Sequence, residues 1–185
     1  MKNKTLLNFI IITIVINIIF IFACILIVIF GYIKPYIAIF ITALMFAYHF
    51  DIRIIIGCIV SIFKKRININ KKCFYISKKE FERLEKLKVK KWKNNFITLY
   101  KNQFEIRKID KEEIEEVIKN NINAEIVHIF CFIFGLFAIV IGCMISIDEI
   151  VIYILTSIFA SICFDLPSIL IQRYNRYRLH KILNM

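Results

Sequence analysis

The chain has 185 residues, of which 59% are hydrophobic, with a mean hydropathy of +0.70 and a formal net charge of +12. That hydropathy excludes an ordinary water-soluble domain, and six cysteines with no CxxC pair or Cys/His ligand spacing support neither a zinc site nor a disulfide framework. The charge does not point to nucleic acid. No recognised nucleic-acid motif accompanies it, and it is concentrated beside apolar runs. There, attraction to anionic headgroups, about 1 kcal/mol per basic residue, accounts for it.

Ile, Lys and Asn are all abundant, as a biased base composition would make them, so membrane insertion is argued from run length. Residues 6–33 carry no charge, and about 20 such residues span a bilayer. The run follows Met1-Lys2-Asn3-Lys4 as a signal peptide would. It is too long for a signal core, however, and no small-x-small cleavage site follows, so it reads as a retained anchor. The second run, residues 36–63, contains His49, Asp51 and Arg53. It reads either as one span or as a partial span followed by an interfacial helix, with Asp51 and Arg53 a paired or snorkelling set.

Residues 64–123 are polar and end in a segment, Lys111–Lys119, that reads as an amphipathic helix with Ile114, Val117 and Ile118 on its apolar side. Its expected role is packing on the domain or on the membrane surface. Two more apolar runs, 126–147 and 150–171, are separated only by Asp148 and Glu149, so they form an antiparallel hairpin.

The expected fold is an all-α integral membrane protein of about four transmembrane helices in two hairpins around a small, mainly helical insertion. Its divisions are an N-terminal hairpin (1–63), a basic insertion (64–123) and a C-terminal hairpin (124–185). Residues 64–93 hold thirteen Lys/Arg against three acids, and the C-terminal end adds Arg173, Arg176, Arg178 and Lys181. Basic flanks stay cytoplasmic, which puts both termini and the insertion inside.

Local chemical motifs are few. Four glycines form no phosphate loop, there is no G-x-S-x-G elbow, and no histidine is followed five residues later by aspartate, the pattern of well-known glycerolipid acyltransferases. One stretch stands out. Residues 168–179 read S-I-L-I-Q-R-Y-N-R-Y-R-L, where an apolar helix meets three arginines interleaved with aromatics and amides. A stop-transfer flank needs only a few lysines; this mixture suits binding of something anionic.

Glu125 and His128, at i and i+3, share one helix face at the start of the third span. Folding the hairpin about Asp148 brings His128 level with roughly Pro167 and Glu125 level with roughly Leu170. Both then face Asp165 and the run from Gln172 to Arg176. A carboxylate-held histidine can act as a general base, and arginine and amide donors can hold an oxyanion or phosphate. The plainer reading makes Glu125 a helix start, His128 an interfacial hydrogen-bonding residue and the arginines a positive-inside anchor.

Three blocks carry a likeness to a known family. They are residues 74–93, ending in Lys88-Val89-Lys90-Lys91-Trp92-Lys93; Ala124-Glu125-Ile126-Val127-His128; and Pro167-Ser168-Ile169-Leu170-Ile171-Gln172-Arg173-Tyr174-Asn175-Arg176. In order and spacing they resemble the glycosyl-4,4'-diaponeurosporenoate acyltransferases, small bacterial membrane proteins that acylate a staphyloxanthin-type carotenoid glycoside. Departures include Asp165 where the family usually has asparagine and Tyr177 in place of a proline.

The resemblance implies transfer of a fatty acyl group to a sugar hydroxyl of a membrane glycolipid or glycosylated isoprenoid. It implies a location in the bacterial cell membrane, no bound cofactor, and an acyl-CoA or acyl-carrier donor as co-substrate. It casts His128 as base, Glu125 as its orienting partner, and Gln172, Arg173, Asn175 and Arg176 as oxyanion or phosphate contacts. Asp165 stands beside them, and Trp92 is an interfacial anchor or a substrate platform. The rival is a non-enzymatic membrane protein whose basic segment binds a partner or anionic lipid.

Overall fold

The computed structural model describes residues 2–30, 34–93, 111–145, 148 and 150–183. Among the described residues all regular structure is helical. The long elements are α1 (Lys2–Phe30), α2 (Lys34–Phe63) and α5 (Lys111–Ile145). A final helical stretch is made of α6 (Ile150–Ala160), a π-helical turn (Ser161–Asp165) and α7 (Leu166–Leu183). Between them lie two 3₁₀ turns, the short α3 (Lys78–Lys86) and the single turn α4 (Val89–Trp92). Four stretches, Ile10–Ile27, Ala38–Arg66, Lys111–Met144 and Ile150–Leu183, are long and apolar enough to cross a membrane.

Three local outcomes refine the sequence reading. α2 continues unbroken through His49, Asp51 and Arg53, so the second run is one helix. The amphipathic segment at Lys111 is not a separate helix: with no proline or glycine before Gly135, it runs directly into the third apolar run. The last helix continues past Ile171 to Leu183, so the arginine-rich run is helical throughout. The π turn has a local cause in Pro167, which has no N–H to offer the carbonyl of Cys163; the chain widens just before it.

The chain packs as two compact units, neither continuous in sequence. The first comprises Met1–Ile56 and Phe130–Asp165. Ile41, Met45, Ala138 and Tyr153 form its apolar centre, and Gly142 lies so close to the Tyr153 ring that a Cβ there would overlap it. Burial in this unit is inverted relative to a water-soluble bundle. Thr13, His49, Ser157, Ser161 and Asp165 are buried, while Ile18, Phe22, Ile55, Phe137 and Leu155 face outward. Lipid is the solvent in which such an exterior is stable.

The second unit comprises Gly57–Ile129 and Leu166–Met185. Ile114, Ile118 and Ile122 on α5 pack with Ile69 and Leu179, so the apolar side of the amphipathic segment is spent on this interior. A second cluster joins Leu84 of α3, Val89 of α4, and Ile171 and Tyr174 of α7. Ser77 caps α3 by accepting from the Glu80 N–H at 3.2 Å. Lys88 takes the left-handed conformation that turns the chain from α3 into α4.

Candidate functional site

Within the second unit the polar residues of α5 and α7 meet around one carboxylate. Arg173 Nη1 donates to Glu125 Oε1 at 2.6 Å, and Arg176 Nη1 donates to Glu125 Oε2. Arg173 and Arg176 are three residues apart and therefore share a face of α7. Long helical side chains lean toward the helix N-terminus, which brings both guanidinium groups back toward Glu125. Arg173 also donates through Nε to Glu80 Oε1 at 2.5 Å, tying α3 to the same cluster.

The arginine-rich run is not a solvated flank. Gln172, Tyr174, Asn175 and Arg176 are buried, and Arg176 is 0% exposed. Its Nε and Nη2 have no hydrogen-bond partner among the described residues, nor have Asn175 Nδ2 and Gln172 Oε1. The same holds for both amide atoms of Asn121, one turn before Glu125, and for Nε2 of His180, one turn after Arg176. Buried polar atoms are nearly always paired, and such a concentration of unpaired ones is what a site for a polar group would show. The donors are mostly cationic or amide, and Arg173, Arg176 and Lys93 outnumber Glu80 and Glu125. An anionic or oxyanionic group fits that balance.

Lys93 enters the cluster by donating to Asn175 Oδ1 at 3.1 Å. Burial pushes its pKa below the usual lysine range, and the charges of Arg178 and Lys90 push it further in the same direction. Phe81 stacks on Tyr177 with ring centroids 4.1 Å apart and on Tyr174 at 5.1 Å. Beside them, Lys78, Glu82, Arg178 and Lys181 line a cavity of about 460 Å³ on this unit.

The remaining residues singled out from the sequence fall as follows. His128 stands three residues beyond Glu125 on α5, half-buried. Trp92 packs against the cluster of Leu84, Val89, Ile171 and Tyr174, and its indole N–H donates to the Leu87 carbonyl at 3.1 Å, closing the α3–α4 corner. Asp165 belongs to the first unit, where it accepts from Arg53 Nη2 at 2.7 Å. Arg53 is thus paired with Asp165 and not with Asp51, which accepts from Asn17 Nδ2 at 3.0 Å. On one helix, residues two apart point to different sides, which explains that correction.

Glu80, Lys93, Asn121 and His180 were not singled out as site residues from the sequence. Only Asn121 carried a local signal, as an amide on the stripe of Ile114 and Ile118.

Residues 61–185 match the family model described as glycosyl-4,4'-diaponeurosporenoate acyltransferase. No curated protein and no solved structure matches the chain. The matched region contains all three sequence blocks and every residue of the Glu125–Arg173–Arg176 cluster, including Glu80 and Lys93. The chain belongs to the glycosyl-4,4'-diaponeurosporenoate acyltransferase family.

Proposed function

We propose that the chain is a multi-pass membrane acyltransferase that moves a fatty acyl group onto a sugar hydroxyl of a membrane glycolipid, a carotenoid glycoside or a close analogue. The observation that carries this reading is Arg176. It is fully buried and held on one side by Glu125, and two of its nitrogens are without a partner among the described residues, in a chain of an acyltransferase family. An arginine fixed from one side by a carboxylate presents its other donors in a set direction, which suits an oxyanion or a phosphate.

In this scheme the donor is acyl-CoA or an acylated carrier protein, both of which bear the acyl group as a thioester on a phosphate-containing arm. His128 takes the proton from the acceptor hydroxyl as the oxygen attacks the thioester carbonyl. Arg173, Asn175 and Arg176 hold the negative charge that develops there, and the thiol leaves with the proton. Glu125 fixes the two arginines and shares a helix face with His128. The Phe81–Tyr177 stack and the cations lining the neighbouring cavity suit the polar end of the donor.

The test is lipid profiling of a deletion strain beside the same strain restored with the wild-type gene. Loss of one acylated glycolipid, with accumulation of its unacylated form, is expected. If no acylated lipid changes on deletion, the reading gives way to a membrane protein that holds a partner or anionic lipid at its basic face.

The thirteen Lys/Arg of residues 64–93 and the arginines near the C-terminal end support a cytoplasmic position for that segment and for both termini. Single cysteines at 72 and 86, in a background lacking the six native cysteines, are expected to react with an impermeant thiol reagent only in inverted vesicles. Reaction in intact cells would reverse the orientation.

The lowered Lys93 pKa gives a pH prediction. Lysine binds anions only when protonated, so a pKa below the ordinary range means that this charge is lost earlier as pH rises. The donor KM is expected to begin its alkaline rise below the pH of an ordinary lysine. In Lys93→Arg the rise should move to higher pH, because arginine stays charged. Superimposable KM–pH profiles for the two proteins would remove Lys93 from the donor site.

A further inference from the structure

The cavity on the second unit lies between two helices. Lys78, Phe81, Glu82 and Glu85 stand at i, i+3, i+4 and i+7 on α3, so they form one stripe of that helix. Tyr177, Arg178 and Lys181 line the cavity from α7. Its volume, about 460 Å³, falls within the range of about 300–1,000 Å³ that small-molecule sites occupy.

The walls combine aromatic, cationic and carboxylate groups. Phe81 and Tyr177 supply flat apolar surface, their rings 16° from parallel. Lys78, Arg178 and Lys181 supply positive charge, and Glu82 and Glu85 supply hydrogen-bond acceptors. Surface helices commonly carry charges of both signs; here they converge on one space beside a ring pair. A free phosphate would use the cations alone and would be opposed by the carboxylates. A fatty chain would use neither. A base joined to phosphates uses all three groups. It packs on the rings, its phosphates meet the cations, and its amino and sugar hydroxyl groups donate to the carboxylates.

We propose that this cavity binds the nucleotide end of coenzyme A, so that the acyl donor is a free coenzyme A thioester and not an acylated carrier protein. A carrier presents the same thioester on a phosphopantetheine arm but has no base to place against Phe81 and Tyr177. The order of residues along α7 gives the direction of the ligand. Residues 166–171 are mainly apolar, 172–176 hold the arginine cluster, and 177–182 border the cavity. From Arg173 to Arg178 is about 7.5 Å along the axis at 1.5 Å per residue, a distance the flexible arm of coenzyme A bridges. A donor laid along α7 has its acyl chain at the apolar end, its thioester at Arg173 and Arg176, and its nucleotide in the cavity. This donor assignment rests on the acyl-transfer reading, and it adds Tyr177, Arg178 and Lys181 as residues that choose between the two donors.

The test uses the full chain in phosphatidylcholine nanodiscs, with coenzyme A binding read by calorimetry and no acceptor present. Adenosine 3′,5′-bisphosphate, the nucleotide end without the arm, is expected to displace coenzyme A. At the same concentration 4′-phosphopantetheine and inorganic phosphate are not. Tyr177→Leu is expected to weaken binding roughly tenfold, the effect of losing one stacked ring, and Tyr177→Phe to leave it unchanged. Arg178→Gln with Lys181→Gln should weaken it too and flatten its dependence on salt. Displacement by phosphopantetheine as strong as by the bisphosphate would overturn the proposal, and so would full affinity in Tyr177→Leu with the fold retained. If coenzyme A does not bind while gene deletion still removes an acylated glycolipid, the nucleotide site fails and the acyl-transfer reading stands with a carrier-bound donor. Coenzyme A bound as expected in a chain whose deletion changes no acylated lipid would overturn the donor assignment together with the acyl-transfer reading.

Discussion

Glu125→Ala is expected to destabilise the folded protein by about 3–5 kcal/mol, the usual cost of removing one partner from a buried ion pair. The cause is what remains behind. Arg176 is completely buried, and Glu125 is its one ion-pair partner among the described residues. Arg173 keeps Glu80 and so is less affected. Denaturant unfolding in detergent, followed by circular dichroism, gives the number.

The double substitution Glu125→Met with Arg176→Met separates structure from function. Replacing both partners of a buried pair by apolar groups of similar volume is often neutral or stabilising, so the double variant should recover most of the stability lost by Glu125→Ala. It should nevertheless be inactive in acyl transfer. Such an outcome would assign the pair to ligand binding rather than to folding. A Glu125→Ala cost below about 1 kcal/mol would instead show that Arg176 is solvated in the folded state, since only an uncompensated buried charge carries the larger cost.

The helices were legible from run length, because a bilayer imposes a minimum number of predominantly apolar residues and each run reaches it, although His49, Asp51 and Arg53 left the second open between one span and a partial one. Their ends were less so. α5 starts at Lys111, well before the apolar run, because nothing in 111–134 breaks a helix and Ile114, Ile118 and Ile122 find an interior to fill. The meeting of Glu125 with Arg173 and Arg176 followed from a hairpin with a very short connection, which leaves little freedom of register. The partners of Arg53 did not follow. Asp165 is 112 positions away, and only tertiary packing selects it over the nearby Asp51. The close packing of His49 and Ser161 on Gly135 is harder still to read, because it exists only where α2, α5 and the π turn converge. A lone histidine, two serines and a glycine in three apolar runs give no local pattern to connect them.

His128→Ala is expected to abolish detectable acylation of the native glycolipid while the protein remains inserted and abundant. A general base typically contributes 10²–10⁴-fold in rate, and a loss of that size takes product below what lipid profiling registers. Glu125→Gln should reduce the rate less. It keeps the shape and one hydrogen-bond acceptor for the arginines, and it removes the charge that holds them and favours an imidazolium nearby. Arg176→Lys should also impair transfer. An ammonium cannot bond Glu125 while presenting two further donors in a fixed plane, as the Nε and Nη2 of Arg176 do. The comparison is made in one deletion strain, with each variant at wild-type abundance by immunoblot. Full acyl transfer by His128→Ala would remove the base and leave the arginine cluster as a binding site only. Full transfer by Arg176→Lys would remove the guanidinium from the oxyanion or phosphate contact, whatever the histidine does.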